Sequence, residues 1–470
     1  MTQPASSPHL GPNGRNPGAD LDYELFLDCV HCGLCTAACP TYTELGDEND
    51  GPRGRIYLMR LITDGQLPVT GRVEKHLHLC LDCRACETAC PSGVHYGRLI
   101  EPFRLAMEEN AAVGLHRFDW FRELILFRVF PYAARLRLLT APVRILQRLG
   151  IYGLAERLGL FRLIPGRLGA MATLLPRLTQ GGPKLPPFLP AVGRRRARVA
   201  FFVGCAADAM FRHTHWATLR VLQQNGCDVI VPPGQGCCGA IHYHAGSRDG
   251  ARQMADANLA AFDLKDIDAI VVNHGGCGAM LKEYGLHWRD AEQPRRQAFS
   301  QRVRDVHEFL DQLGLVSPAG RIEAVATYHD ACHLAHAQKV VQPPRRLLGQ
   351  IPGLELRDLP ESEICCGSAG TYNLLQPDIA AALGRRKAAH IDSVDPDIIA
   401  AGNLGCLVQI GRFTQAPVVH TAELLDWATG GPMPPGLHGR ALRKPVPLAA
   451  QVGAAASSST AADADSTGVW

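Results

Sequence analysis

The sequence of 470 residues contains no run of 18 apolar residues. Its greasiest stretch, Phe118 to Val129, is interrupted by Arg122, Glu123 and Arg128, which excludes an ordinary membrane span. The first twenty residues lack an apolar h-region and a twin-arginine pair, so export is not expected. Charge of one sign is also lacking. The 48 basic and 45 acidic residues leave a net +3, and aromatic residues make up only 6%. Neither a whole-chain field nor aromatic interleaving therefore supports nucleic acid as a partner. An apolar fraction of 46% and a charged fraction of 20% exclude a wholly disordered or collagen-like chain. The length suits about three domains of ordinary size. What the chain has in excess is cysteine. An odd total of 17 without a secretory signal argues against a disulfide framework. It favours thiolate–metal chemistry in a reducing compartment, so the expected location is cytoplasmic.

Eight of the cysteines form two runs. Cys29-Val-His-Cys32-Gly-Leu-Cys35-Thr-Ala-Ala-Cys39-Pro40 follows C-x2-C-x2-C-x3-C-P, and Cys80-Leu-Asp-Cys83-Arg-Ala-Cys86-Glu-Thr-Ala-Cys90-Pro91 repeats it 51 residues later. In this bacterial ferredoxin spacing, three close thiolates hold three irons of one [4Fe–4S] cube and the fourth reaches the other cube. The predicted ligand sets are Cys29, Cys32, Cys35 and Cys90 for cluster 1, and Cys80, Cys83, Cys86 and Cys39 for cluster 2. Two structural zinc sites are the alternative, but zinc sites separate their C-x2-C pairs by a longer loop. Between the runs, Gly51-Pro52 predicts a turn, and Ile56, Leu58, Met59, Leu61 and Ile62 predict a helix after it. Arg53 and Arg55 stand there either to offset cluster charge, to meet a partner, or as a solvated turn.

From Arg117 to Arg198 the chain has 15 Arg and one Lys against three acidic residues. Leucine-rich pieces recur near helical spacing, and Pro131, Pro142 and Pro165 are expected to cut them into short helices. Such a basic amphipathic segment suits an anionic membrane surface or an acidic partner, or is a linker whose arginines face water.

The other nine cysteines fall into two sets of four and one remainder. Cys205, Cys237-Cys238-Gly239 and Cys277 are repeated by Cys332, Cys365-Cys366-Gly367 and Cys406, at an offset of 127 to 129 residues. Each set has an apolar run before its first and last cysteine, which predicts small parallel sheets covered by helices. The cysteines then fall beyond the carboxyl ends of strands, where such sheets gather ligands. They suit a metal or cluster, a redox-active vicinal disulfide, or packing. Cys227 stands alone and is expected as a half-buried thiol in a helix-to-strand turn. Histidines that suit ligation or proton transfer lie close by: His242, His244, His274, His329, His333 and His336.

Two ferredoxin runs followed by two CCG modules resemble the iron–sulfur subunit of glycolate oxidase (glycolate dehydrogenase). The likeness covers about residues 22–430. It is carried by the first cysteine run with Thr41-Tyr42, Gly51-Pro-Arg-Gly-Arg-Ile-Tyr-Leu, Cys237-Cys-Gly-Ala, Gly276-Cys-Gly-Ala, His336-Ala-Gln-Lys and Cys365-Cys-Gly-Ser-Ala-Gly-Thr-Tyr. Subunits of lactate-oxidising, anaerobic glycerol-3-phosphate dehydrogenase and heterodisulfide reductase complexes share the cysteine layout. The resemblance implies an α+β multi-domain chain. Residues 1–20 would be a disordered start and 21–110 a two-[4Fe–4S] ferredoxin-type helical domain. A basic helical linker would occupy 111–197, two tandem α/β CCG domains 198–310 and 322–430, and a disordered tail 431–470. It also implies two [4Fe–4S] clusters and two FAD-domain flavoprotein subunits as partners. The flavoprotein would oxidise glycolate to glyoxylate, while this chain passes electrons to an acceptor such as quinone, peripherally at the inner membrane. No FAD site of its own is read, since no G-x-G-x-x-G is found after a strand. The fullest CCG pattern ends in C-x2-C, whereas here His274 and Asn403 replace one cysteine per module. An additional cluster or zinc is therefore expected, if present, at Cys205, Cys237, Cys238, His274 and Cys277, and at Cys332, Cys365, Cys366 and Cys406.

Overall fold

A computed structural model describes residues 16–111, 119–164, 166–178 and 182–443. In the first part, helices Pro40–Leu45, Pro52–Thr63, Gly71–His78 and Gly97–Ala111 surround a core of Phe26, Ile56, Met59, Ile62, Leu77 and Leu99. The helix predicted after Gly51 begins at Pro52, where a missing N–H costs nothing in the first turn. It buries Ile56, Met59 and Ile62 on one face. The Thr70 hydroxyl caps the next helix by accepting from the Val73 N–H. Residues 16–20 depart from the expected disordered start. Asn16 Nδ2 donates to the carbonyls of Ile62 and Thr63 at 2.9 and 2.7 Å, which fastens this turn to the helix end. Residues 1–15 lie outside the described residues.

The linker is a chain of short helices, Ala133–Leu139, Ala141–Arg148, Ile151–Arg157 and Gly166–Thr173, preceded by a π-helical turn at Phe121–Leu126. Pro142 starts a helix rather than ending one, because it occupies the first turn. Pro165 lies outside the described residues. Leu138, Leu149, Leu158 and Leu163 are 77%, 66%, 65% and 79% exposed, so the apolar stripe is not used up by packing within the chain.

The duplicated cysteine sets sit on duplicated sheets. The first has strands β1 (Phe188–Leu189), β2 (Ala197–Phe202), β3 (Cys227–Ile230), β4 (Ala269–Val272) and β5 (Val303–Asp305), in the order β1-β3-β2-β4-β5. The second has β6 (Ala324–His329), β7 (Leu354–Arg357), β8 (Ile398–Ala401) and β9 (Val418–His420), in the order β7-β6-β8-β9. All pairings are parallel except β1 with β3, so the end of the linker adds an antiparallel edge that was not expected. The two modules share a core: Val199 and Phe201 of β2 belong to the same buried cluster as Ala324, Ala326 and Tyr328 of β6. Cys227 is not half-buried in a turn. It opens β3 and is 0% exposed, because its strand partner Ala197 and the shared core close over it. Residues 431–443 likewise depart from the expected disordered tail. Leu437 is buried, and Arg443 pairs with Asp395 and Asp397, while residues 444–470 lie outside the described residues.

Candidate metal centres

The ferredoxin-type loops fold so that the last cysteine of each run crosses to the other. Cys90 lines one cavity with Cys29, Cys32 and Cys35, and Cys39 lines a second with Cys80, Cys83 and Cys86. Cys86 borders both cavities, so they share a wall. The crossing depends on left-handed backbone at His31, Gly33, Asp82 and Gly93, which turns the chain sharply between thiols. Arg53 lines the first cavity and Arg55 the second. Arg55 is no solvated turn. It is 1% exposed, donates to the His76 carbonyl and the Thr41 hydroxyl, and lies 3.5 Å from Asp50. Arg53 donates to the His31 carbonyl and to Glu48. Burial pushes the thiols of Cys83 and Cys86 well up, and neighbouring sulfurs add to it. A thiol in such a place loses its proton readily only when a metal cation takes its place, so the four-thiol sets with an arginine on each wall fit anionic clusters.

The second cavity lies against the CCG modules. Leu81, Cys83 and Ala85 share an apolar cluster with Cys365, Tyr372 and Leu383, and Cys332 packs on it. Tyr372 Oη donates to the Leu79 carbonyl at 2.9 Å, and His333 Nε2 donates to the Asp82 carbonyl at 2.8 Å. Contact with the first module is ionic around Arg84, beside Leu105, which is buried in that module's apolar core. Arg84 reaches Glu283 and Glu101, each at 3.0 Å, and Asp82 at 3.5 Å. Burial opposes charge on Asp82, yet the Arg84 guanidinium holds its carboxyl well below the usual range.

In each module the four cysteines form a row of sulfurs. Cys205 lies 3.3 Å from Cys237, and Cys238 lies 3.4 Å from Cys277. Hydrogen bonds with Cys237 and Cys277 hold the Cys238 thiol well down. Both rows face one cavity of about 410 Å³, whose other walls are apolar linker side chains such as Phe130, Leu139 and Met171. The glycine of each CCG turn is required. Gly239 and Gly367 have φ of +88° and +86°, and a Cβ would lie 3.0 Å from the Ala251 carbonyl oxygen and 2.7 Å from that of Ala380. Gly234-Gln-Gly236-Cys-Cys-Gly239 does spell G-x-G-x-x-G after β3. Its last glycine opens only the five-residue helix Ala240–His244, and the loop is used to present two thiols, so it is not a dinucleotide fingerprint.

The histidines divide by role. His333 and His336 hold the ferredoxin-type part, the latter through Thr88 Oγ1 at 3.0 Å. His242 stacks on Phe127 of the linker. His244 lies 3.5 Å from both Asp82 and Glu101, and burial pushes it down to about 4. His274, expected with the first row, lines the cavity but joins no three-donor group with its cysteines among the described residues. Its ring lies between His215 and His420 at the seam of the modules, because the strand end that carries it turns toward the shared core. His329 instead comes within 4.8 Å of Cys366 and Cys406. Sequence reading named it only as a neighbour. The available signal was its position at the end of an apolar run, three residues before Cys332.

Residues 26–94 match the family described as 4Fe-4S dicluster domain, and residues 199–282 and 326–411 each match Cysteine-rich domain. Residues 118–175 match "Glycolate oxidase iron-sulfur subunit, linker region". Over 424 residues the chain is 37% identical to the probable glycolate oxidase iron-sulfur subunit of Bacillus subtilis (strain 168), which spans 87% of this chain and 95% of that protein. The chain belongs to the glycolate oxidase iron–sulfur subunit family. The family member of Escherichia coli (strain K12) is 36% identical over 424 residues, 88% of this chain and 96% of that protein. Lactate utilization protein A of Oceanobacillus iheyensis is 29% identical over 237 residues, 49% of this chain and 96% of that protein. Within the family's order of dicluster domain, linker and two cysteine-rich domains, the α+β multi-domain organisation expected from sequence is what is found. No helix among the described residues is long and apolar enough to cross a membrane.

Proposed function

We propose that the chain relays electrons in a glycolate-oxidising complex, from a flavin-bearing partner to an acceptor. Two [4Fe–4S] clusters would be held by Cys29, Cys32, Cys35 and Cys90, and by Cys80, Cys83, Cys86 and Cys39. Such clusters pass one electron at a time from a flavin that has taken two. The observation that carries this reading is continuity. Cys86 borders both four-thiol cavities, and Cys83 of the second packs in one apolar cluster with Cys365, whose row opens on the large cavity. Shared walls of protein are what short electron steps need. Lactate or glycerol-3-phosphate is the alternative donor substrate for such a complex, and the match to lactate utilization protein A over half the chain is what favours lactate among these.

The acceptor end supports a more detailed reading. The cavity of about 410 Å³ combines eight thiols with apolar linker walls, which suits a flat apolar acceptor such as a quinone. The same linker exposes Leu138, Leu149, Leu158 and Leu163 beside an excess of arginine, which suits peripheral contact with an anionic membrane surface. Replacing Cys32 or Cys83 with Ser in the assembled complex should abolish acceptor reduction while glycolate still bleaches the flavin. Acceptor reduction that survives the loss of both clusters would overturn the relay, and comparing glycolate with lactate as reductant identifies the substrate.

A further inference from the structure

His329 ends β6, paired with Ala401 of β8, and is 0% exposed. Neither of its ring nitrogens makes a hydrogen bond of ordinary geometry, although the Ser362 backbone lies close enough to act on the ring. Leaving such a group buried and unsatisfied costs about 1–3 kcal/mol, so a ligand for the ring is to be expected. One ring nitrogen and the sulfurs of Cys366 and Cys406 all lie within 4.8 Å of one another. Bonds of about 2.3 Å to sulfur and about 2.0–2.1 Å to nitrogen, at tetrahedral angles, place neighbouring donors about 3.6–3.8 Å apart. A small closure of this triad therefore encloses one ion. The donors of a [4Fe–4S] cube stand outside four irons and are spread more widely. Among the described residues, none of the eight ferredoxin-type cysteines belongs to such a compact three-donor group, so the two kinds of site separate by spacing.

The surroundings complete the case. Lys387 is 2% exposed, and its ammonium, bound to the Glu361 and Ser362 carbonyls, lies in the field of Cys366 and Cys365. Asn403 Nδ2 donates to Cys406 Sγ at 3.4 Å, the kind of outer contact that orients a metal ligand. Cys366 and Cys406 also line the large cavity, while His329 stands behind them. Among the described residues the first module has no such compact group: Phe202 occupies the position of His329, three residues before the first cysteine, and no histidine closes on the Cys238–Cys277 pair within that spacing.

We propose that His329, Cys366 and Cys406 bind a single four-coordinate divalent ion, zinc by its donor set, with the fourth position toward the cavity. One imidazole and two thiolates form a borderline-soft set that suits zinc, and three protein donors leave the position that ligand-accepting zinc sites keep open. The assignment does not depend on the electron relay. Its test uses the full-length chain, purified without oxygen and reconstituted with zinc alone, with zinc, iron and sulfide counted together. About one zinc per chain is expected beside the iron. His329→Ala should lose that zinc with iron and sulfide unchanged, whereas His329→Cys should keep it. With cobalt(II) as probe, His329→Cys should strengthen the thiolate-to-cobalt charge-transfer band. Absence of zinc from the reconstituted wild type, or zinc unchanged in His329→Ala, would overturn the proposal. Joint loss of iron and sulfide in His329→Ala would overturn it in favour of a cluster. Cys32→Ser, which should lower iron and leave zinc in place, separates this outcome from a failure of the relay.

Discussion

The two CCG modules share a four-strand parallel order, to which the first adds the antiparallel edge β1, and the same row of four sulfurs and the same left-handed glycine, yet they meet the rest of the chain differently. The first meets the ferredoxin-type domain through charge, from Glu283 to Arg84. The second meets it chiefly through packed apolar atoms and neutral hydrogen bonds at Cys365, Tyr372 and His333, with one ion pair from Arg386 to Glu44 at 3.6 Å. They also place their histidines differently. The first sends His274 to the seam, and the second keeps His329 beside its thiols. Duplication preserved the backbone that presents four sulfurs, while single side chains at equivalent positions set what each row touches.

Breaking the ionic half of this comparison should have the largest effect. Arg84→Ala leaves Asp82, Glu101 and Glu283 without their common cation in a buried setting. A loss of about 3–5 kcal/mol is expected in chemical denaturation, since removing one partner strands the others. A loss under 1 kcal/mol would mean that packing against the second module alone holds the domains together.

The seam between the modules supplies the next effect. Burial pushes Glu423 up from 4.5 to about 7, while its hydrogen bond with Thr214 of the first module works the other way. The folded protein therefore holds a proton between these pH values that the unfolded chain releases. The stability contributed by this group is full below about pH 4.5 and falls as pH rises to about 7, by about 3 kcal/mol at 1.36 kcal/mol per unit. Glu423→Gln should flatten this slope in unfolding free energies measured from pH 4.5 to 7.5. An unchanged slope would refute the assignment.

The smallest effect tests the twin turns directly. Gly239→Ala and Gly367→Ala each force a Cβ into left-handed backbone, which costs about 1–2 kcal/mol. Gly367→Ala should be the worse, because its Cβ comes 2.7 Å from a carbonyl oxygen against 3.0 Å in the first module. Equal shifts in thermal midpoint would show that the two turns relax alike.

Much of this was legible beforehand. The ferredoxin runs foretold which cysteines would share a cavity, because thiols two and three residues apart on tight loops leave few ways to fold. The duplicated spacing foretold twin parallel sheets, since a continuous apolar run before each cysteine marks a buried strand. Where the rings of His274 and His329 point is not legible in the sequence, because distance from a cysteine does not say toward which side of a strand end a ring turns. The anchoring of residues 16–20 and 431–443 was hidden because their polar composition suits a tail, and only partners far along the chain hold them.

What the sequence determined by itself is the chemistry on offer: thiols in two spacings, repeated, on a chain without a long apolar run or a strong net charge. That information is local, carried by residue type and short separations. Tertiary structure decided which thiols face which. Packing of the second ferredoxin-type cavity against Cys365, the union of both sulfur rows on one cavity, and the meeting of His329 with Cys366 and Cys406 all join residues far apart in sequence. Those contacts exist because two half-buried sheets had to share one core, and no periodicity within either repeat encodes how they do so.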